Sequence, residues 1–449
     1  MDDTIAAIST ALGVGAISII RVSGPESIEI SNKIFKGKDL KKVDSHTIHY
    51  GYIIDNNEVI DEVLISVMKA PKTFTKEDIV EINCHGGIAT TNKVLEILLN
   101  NNIRLAEPGE FTKRAFLNGR INLLEAEGIM NLISSKTDIS RKMSISQLSG
   151  KVGNKIKNIR ERLIRIISNI EVNIDYPEYE DIEVLENTKI YPEVKEIKYS
   201  LEKIIKEAQD GKIINEGINI GIIGKPNVGK SSLLNALLEE QKAIVTNIEG
   251  TTRDAVEGTI TLKGVLINFV DTAGIRKSED IVEQIGIKKS LEIIDKSDLV
   301  IYMLNNNENL DNEEIELYNK IKNKKHIILL NKIDLKRNID LSFLKTPPIE
   351  ISLLDNDASI IKEEIIRLFN LNELETKDLT YLSNARNISL LKKSLNNINN
   401  ALNNINKKEP IDITEIELKE SWSTLGEILG ETYTDELLDE LFKRFCLGK

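Results

Sequence analysis

The octet "GKPNVGKS", Gly224 to Ser231, follows the apolar run "INIGIIG" (218–224) and precedes the amphipathic stretch "SSLLNALLEEQ". A G-x-x-x-x-G-K-S pattern between a strand and a helix constrains the local fold more than any other stretch of the chain. Its glycines permit a tight loop whose backbone N–H groups wrap phosphate oxygens, and the helix N-terminus adds partial positive charge. Asn227, Val228 and Gly229 form the loop, Lys230 reaches toward the β- and γ-phosphates, Ser231 is placed to ligate Mg²⁺, and Ser232 follows it. Four more short apolar runs, "VLINFVD" (265–271), "DLVIYML" (298–304), "KHIILLN" (325–331) and "IEISLL" (349–354), recur downstream. Helical stretches or loops separate them, as parallel-sheet α/β units require.

Two further motifs narrow the nucleotide. "DTAG", Asp271, Thr272, Ala273 and Gly274, puts a carboxylate near the Mg²⁺ shell and a glycine N–H near the γ-phosphate. "NKID" contains Asn331, Lys332 and Asp334, and the Asp334 carboxylate can accept from guanine N1–H and its exocyclic amine, a donor pair adenine lacks. Alone, "NKID" could be an ordinary turn. In order, with spacings of 41 and 60 residues between Lys230, Asp271 and Asn331, the three motifs predict GTP binding. Between them, "EGTTRDAVEG" (249–258) suits a switch touching Mg²⁺ and the γ-phosphate, with Thr252 the first choice of ligand and Thr251 the second. Ile275 follows DTAG where small Ras-type GTPases place a glutamine, so water must be positioned by another group. Glu283 and Glu279 are the candidates on chemistry alone, although a solvated glutamate is the commoner reading of each.

At 449 residues the chain exceeds the size of a single growing core, so two to four domains are expected. The first hundred residues mix β-like runs, "AISIIRVSG" (16–24) and "VLISVMKA" (63–70), with a helical stretch, "ATTNKVLEILLNN" (89–101), that stripes Val94, Leu95, Leu98 and Leu99. From about Gly119 the periodicity is helical, with Ile156, Ile159, Leu163 and Ile166 on one face. Pro177 and Pro192 interrupt it, and a further helix is expected to end at Gly211. Helical segments return after about Asn370. The α/β module is therefore either inserted into one helical domain or held between two helical caps.

Two cysteines, Cys84 and Cys446, exclude a disulfide framework. With no signal-like start and no roughly 20-residue apolar span, a cytoplasmic protein without a membrane segment is expected. Cys84 lies in the alternating run "VEINCHGG" and reads as a packed thiol. Cys446 lies in the terminal "RFCLGK", beside Lys443 and Arg444, whose charge favours thiolate where they are close. It is either a reactive group or a thiol packed at the helical surface. The net charge of -12 argues against wholesale coating of nucleic acid. Yet Asn101–Arg165 holds 13 Lys/Arg against 6 Asp/Glu, and Ile166–Asp210 holds 5 against 12. That contrast fits either solvated helix faces of opposite sign or a nucleic-acid or partner-docking face.

Taken together, GKPNVGKSSLLNAL, GTTRD, DTAGIR, NKID, IIRVSG, EINCHGG, PGEFTKRAFLNGRINLLEAEGIMNLI and the terminal FCLGK resemble the bacterial and organellar tRNA-modification GTPases of the MnmE, or TrmE, family. The resemblance spans essentially the whole chain. It implies an α/β and helical multidomain fold: an N-terminal folate-binding-like α/β dimerisation domain (1–118) and a helical domain (119–215 and 375–449). A Ras-like P-loop G domain (216–374) is inserted in the helical one. It implies a homodimer that works with the FAD-dependent partner MnmG (GidA) on tRNA. Together they add an aminomethyl or carboxymethylaminomethyl group at C5 of the wobble uridine, with 5,10-methylenetetrahydrofolate or a related folate as one-carbon donor.

By the same resemblance K⁺ assists GTP hydrolysis. Asn227 falls on the family's K⁺ ligand, and the carbonyl-lined loop falls on about Thr246 to Gly250, including Asn247 and Ile248, with Thr251 beside it. The family's catalytic glutamate matches Glu283, and its C-terminal cysteine matches Cys446. Arg21, Glu81, Arg120 and Lys449 lie in the blocks that match the folate side, where a structural ion pair is an equal reading of Arg21 and Glu81. Asn101–Arg165 becomes a candidate tRNA face whose binding weakens with salt. Two departures stand out. "STALGVGAISIIR" lacks the Pro-Gly-Arg or Gly-Arg-Gly of many relatives, and "ISLLD" (351–355) lacks a clear guanine-contacting Ser-Ala pair. A ribosome-assembly or RNA-binding GTPase without modification chemistry is the alternative, and it would require neither the folate-like blocks nor Cys446.

Overall fold

A computed structural model of the chain describes residues 3–175, 187–239, 256–270, 283–355, 358–374 and 381–443, with Phe445 and Gly448. These residues form two compact units. One comprises Met1–Met130, Gln147–Lys198 and Lys393–Lys449; the other comprises Asn131–Ser146 and Tyr199–Lys392.

In the first unit, β1 (Ile5–Ile8), β2 (Ile17–Ser23), β3 (Phe35–Lys36), β4 (Thr47–Asp55), β5 (Glu58–Met68), β6 (Ile79–His85) and β7 (Arg104–Leu105) form one sheet. Its order is β3-β4-β5-β6-β2-β1-β7. Every pairing is antiparallel except β1 with β7. Strand alternation sorts the residues by face. Ile20 and Val22 of β2, with Val80, Ile82 and Cys84 of β6, enter the core beneath the Ile88–Asn100 helix. Cys84 is packed there as expected, and burial pushes its thiol pKa up. Arg21 and Glu81, directly opposite in register, belong to the other face. The helix buries Thr91, Val94, Ile97 and Leu98, so Ile97 belongs to the stripe, while Leu95 and Leu99 are only half-buried.

The helical part of this unit is organised by the 25-residue Lys151–Asp175 helix, which packs along the Ile411–Leu429 helix. The predicted face of Ile156, Ile159, Leu163 and Ile166 is buried, joined by Ile167 and Ile170. Arg160 interrupts that stripe and is buried too. Its guanidinium lies 4.3 Å from the Trp422 ring centroid and donates to the Trp422 carbonyl and to Glu431. The last helix, Asp435–Phe442, begins where the Thr434 hydroxyl accepts from Leu437 N at 3.3 Å. Its Leu438 and Phe442, with Phe445, pack against Phe116, Leu123 and Ala126.

In the second unit a six-stranded sheet runs in the order β13-β12-β11-β8-β10-β9. The strands are β8 (Ile218–Ile223), β9 (Val256–Leu262), β10 (Val265–Val270), β11 (Leu299–Asn305), β12 (His326–Asn331) and β13 (Ile349–Glu350). All neighbours are parallel except β9 with β10. All five apolar runs expected as strands are strands, although "IEISLL" contributes only two residues before turning into a 3-10 helix, Leu353–Asp355. The antiparallel β9 was not among them, because "VEGTITL" alternates polar and apolar residues as an edge strand does.

Two expected breaks are not breaks. The Asn187–Glu216 helix carries Pro192 in its second turn and runs on through it, at the cost of one backbone hydrogen bond. The same helix continues through Gly211 to Glu216. Gly211 permits close packing instead of termination, because a Cβ there would collide with the Leu382 carbonyl.

Candidate functional site

β8 ends at Ile223 and the Lys230–Glu239 helix begins seven residues on, so the octet spans a strand–loop–helix turn. Asn227 holds a left-handed backbone (φ 60°), a conformation asparagine tolerates better than most residues. Gly229 (φ 108°) is required: a Cβ there would collide with Asn331 Nδ2. Val228 is buried, and its carbonyl accepts a 2.7 Å hydrogen bond from that amide. Asn331 Oδ1 is also buried and has no partner among the described residues, leaving an acceptor for a ligand or another segment to satisfy.

Lys230 Nζ donates to the carbonyls of Gly224 at 2.7 Å and Lys225 at 2.6 Å. Burial nevertheless pulls its pKa down to about 8. Lys225 reaches the other way, pairing with Asp311 at 2.8 Å and Glu314 at 2.9 Å. Those two acids form the capping box of the Asn312–Ile321 helix, so one loop lysine ties the phosphate loop to a helix start. Ser231 and Ser232 are exposed on the first turn. At the far end of β12, Lys332 also has positive φ (62°), and Asp334 Oδ1 accepts from the Ser352 hydroxyl at 3.0 Å. Ser352 lies in "ISLLD", where no guanine-side pair was recognised; what identifies it is its place just beyond β13. The structure thus brings Asn227, Val228, Gly229, Lys230 and Asn331 together around one loop. Thr246, Asn247, Ile248, Gly250, Thr251, Thr252, Asp271, Thr272, Ala273 and Gly274 lie outside the described residues. Glu283 opens the Glu283–Lys296 helix, and its side chain is not described.

A second cluster lies on the sheet of the first unit. Arg21 Nε donates to Glu81 Oε1 at 2.8 Å, across the register that pairs β2 with β6. The Arg21 guanidinium stands 5.8 Å from the Phe74 ring centroid and 5.7 Å from that of Phe111. Arg120 covers Phe74 at 4.8 Å and donates to its carbonyl at 2.9 Å. Arg21, Glu81 and Arg120 are therefore brought together around Phe74, an aromatic no motif reading singled out. Two planar cations over one ring make a flat cationic platform, bounded by the Glu81 carboxylate that pairs with Arg21.

In the same unit Arg114 is fully buried and pairs with Asp3 at 2.8 Å, Glu110 at 3.0 Å and Glu77 at 3.2 Å. The chain end is anchored in the same unit. Phe445 stacks on Phe442, the Ser9 hydroxyl donates to the Gly448 carbonyl at 3.1 Å, and Lys113 pairs with Asp439 at 2.5 Å. Cys446 and Lys449 lie outside the described residues, between and beyond those anchors. Among the described residues no helix is long and apolar enough to cross a membrane.

Residues 4–120 match the GTP-binding protein TrmE N-terminus and residues 123–446 match the MnmE helical domain. The helical match begins before the phosphate loop and ends after the second sheet, so the α/β module lies inside the helical domain's span. The tRNA modification GTPase MnmE of Staphylococcus aureus strain Newman is 49% identical over 456 residues, covering 100% of this chain and 99% of the relative. That of strain JH9 matches to the same extent. The G domain of the T. maritima FeoB iron transporter aligns at 28% identity with 34% of this chain and 98% of its own, with a TM-score of 0.25, too low to bear on the fold. With a full-length relative at that identity and both flanking domains matched, the chain belongs to the MnmE family of tRNA modification GTPases.

Proposed function

We propose that this GTPase acts as a cytoplasmic homodimer with the FAD-dependent partner MnmG (GidA) on the wobble uridine of tRNA. In this reading the pair adds an aminomethyl or carboxymethylaminomethyl group at C5, with 5,10-methylenetetrahydrofolate or a related folate as the one-carbon donor. The observation that carries it is the coexistence in one chain of the Asn331-braced phosphate loop, the Arg21–Glu81–Arg120 platform and an anchored C-terminal box. A regulatory GTPase without modification chemistry has no use for the second and third. The domains divide as 1–118, 119–215 with 375–449, and 216–374.

Within the G domain, Lys230 neutralises phosphate charge and Asp334, held by Ser352, selects guanine. Ser231 and Thr252 would hold Mg²⁺, and Asn227, with carbonyls of Thr246 to Gly250, would hold K⁺; these cations supply positive charge to the phosphates. The exposed position of Ser231 on the first helical turn and the left-handed turn at Asn227 fit those roles. Glu283 orients the attacking water. On the platform, Arg21 and Arg120 bind the folate ring system, Glu81 accepts from its amino group, and Lys449 closes the site. Cys446 acts at the modification centre as acid, base or transient nucleophile. Nucleotide-driven movement of the G domains couples turnover to that centre conformationally.

The test compares GTP hydrolysis in K⁺ and in Na⁺ at equal ionic strength for wild type, Asn227→Ala and Glu283→Ala. A K⁺ preference is expected, absent in Asn227→Ala, with GTP binding kept and turnover lost in Glu283→Ala. Equal rates in both salts would remove the cation from the mechanism and leave a partner-activated GTPase.

A further inference from the structure

Beside the Arg21–Glu81–Arg120 platform lies an open cleft of about 440 Å³. Phe74 and Arg120 line both, so the cleft starts where the platform ends. Its other polar walls come from His46, Lys72, Thr73 and Lys76, and no carboxylate lines it. Lys76 is tethered, its ammonium donating to the carbonyls of Asn118 at 3.0 Å and Gly119 at 3.2 Å. Lys72 is exposed and has no ion pair among the described residues. The Ser45 hydroxyl holds His46 through Nδ1 at 2.8 Å. Cations gathered in a concave site without local counter-charge attract an extended anion, and they do so additively and salt-dependently.

We infer that this cleft binds the γ-linked oligoglutamate tail of the folate, with Lys72 the principal contact, so that the protein selects polyglutamylated over monoglutamylated donor. The inference rests on the folate reading of the platform. A heterocycle stacked at Phe74 leaves its benzoyl-glutamate end to depart along the surface, and the cationic cleft is what adjoins Phe74. Each added glutamyl unit brings one carboxylate, which matches a row of separate lysine and arginine heads better than a single deep anion pocket would.

The test measures binding of 5-formyltetrahydrofolate carrying one and five glutamyl residues to the full-length protein by calorimetry, at low and at physiological salt. For wild type the pentaglutamate is expected to bind roughly tenfold tighter, a ratio that shrinks as salt rises. Lys72→Ala should reduce the ratio and Lys72→Glu should abolish it, each weakening the pentaglutamate more than the monoglutamate. Equal affinities in wild type, or a ratio that Lys72→Glu does not move, overturns the inference while the platform stands. Failure of the monoglutamate to bind overturns the folate reading itself, and the tail site with it. Loss of tRNA affinity in Lys72→Glu with an unmoved ratio assigns the cleft to the phosphate backbone instead.

Discussion

Asn331 Nδ2 donates to the carbonyl of Val228 at 2.7 Å, joining the end of β12 to the phosphate loop more than a hundred residues earlier in the chain. Asn331 therefore braces the loop proposed to hold phosphate, while Asp334, three residues on, accepts from the Ser352 hydroxyl. On the proposed reading, one short motif couples both ends of a nucleotide. Both partners are buried, so truncation leaves the Val228 carbonyl unsatisfied. Asn331→Ala should weaken GDP and GTP binding by roughly 10- to 100-fold, the range expected for stranding a buried polar group. Equilibrium titration with a fluorescent guanine nucleotide reads this directly. Unchanged affinity would show that the brace is dispensable.

Burial of Lys230 should make nucleotide binding proton-linked. Burial holds its pKa at about 8, against an ordinary lysine value of 10.5. Between those values the unfolded chain carries the extra proton, so this group's contribution to stability rises with pH through that window and is flat below it. Phosphate oxygens favour the charged form and raise the pKa again. GDP binding near pH 8.5 is therefore expected to take up protons, a fraction of one per site. Calorimetry in buffers of different ionisation enthalpy measures it, and Lys230→Ala should show none of this uptake. Zero uptake in wild type would mean the lysine is already charged before nucleotide arrives.

The parts of this fold legible in the sequence are those dictated by short-range periodicity. The five parallel strands, the Ile156–Ile159–Leu163–Ile166 face and the phosphate loop follow from patterns within a few residues. What was not legible depends on partners far along the chain. Pro192 and Gly211 carry the same local signal as helix breakers, and only the Leu382 carbonyl beside Gly211 explains why the helix runs on. Phe74 sits in "PKTFTKED", which announces nothing, yet Arg21 and Arg120 converge on it from β2 and from beyond the Glu110–Leu117 helix. Ser352 was passed over because its role depends on where β13 stops.

The tail's docking hinges on Gly109. Its φ of 71° is left-handed, and a Cβ would stand 2.6 Å from the Phe442 carbonyl and 2.8 Å from Phe445 Cβ. Gly109→Ala should therefore lift the Phe442–Phe445 turn off its seat without touching the phosphate loop. Release of the C-terminal residues by carboxypeptidase is expected to accelerate about tenfold, the effect of some 1.4 kcal/mol of lost docking. GTP affinity should stay at the wild-type value. If tRNA modification survives this release, the seat of Phe442 and Phe445 on Gly109 is not what the reaction needs.

The buried charges around Arg114 set the acid limit of the first unit. Burial alone would raise the pKa of Glu110, but hydrogen bonds from Arg104, the Glu107 N–H and Arg114 outweigh it and hold the carboxyl below its ordinary 4.5. Asp3 is likewise lowered from 3.8, burial opposing and Arg104 and Arg114 prevailing. For a depressed carboxylate the stabilisation is present above the unfolded-state pKa and is lost as pH falls through the folded-state value. The first unit should thus keep its stability down to about pH 4.5 and lose it progressively below, as thermal melts across pH will show. Glu110→Gln keeps the shape and removes the titrating group. It should flatten this part of the acid slope and lower stability at neutral pH, because fully buried Arg114 then loses one of its three carboxylates. An acid slope identical to wild type in Glu110→Gln would place the titration elsewhere.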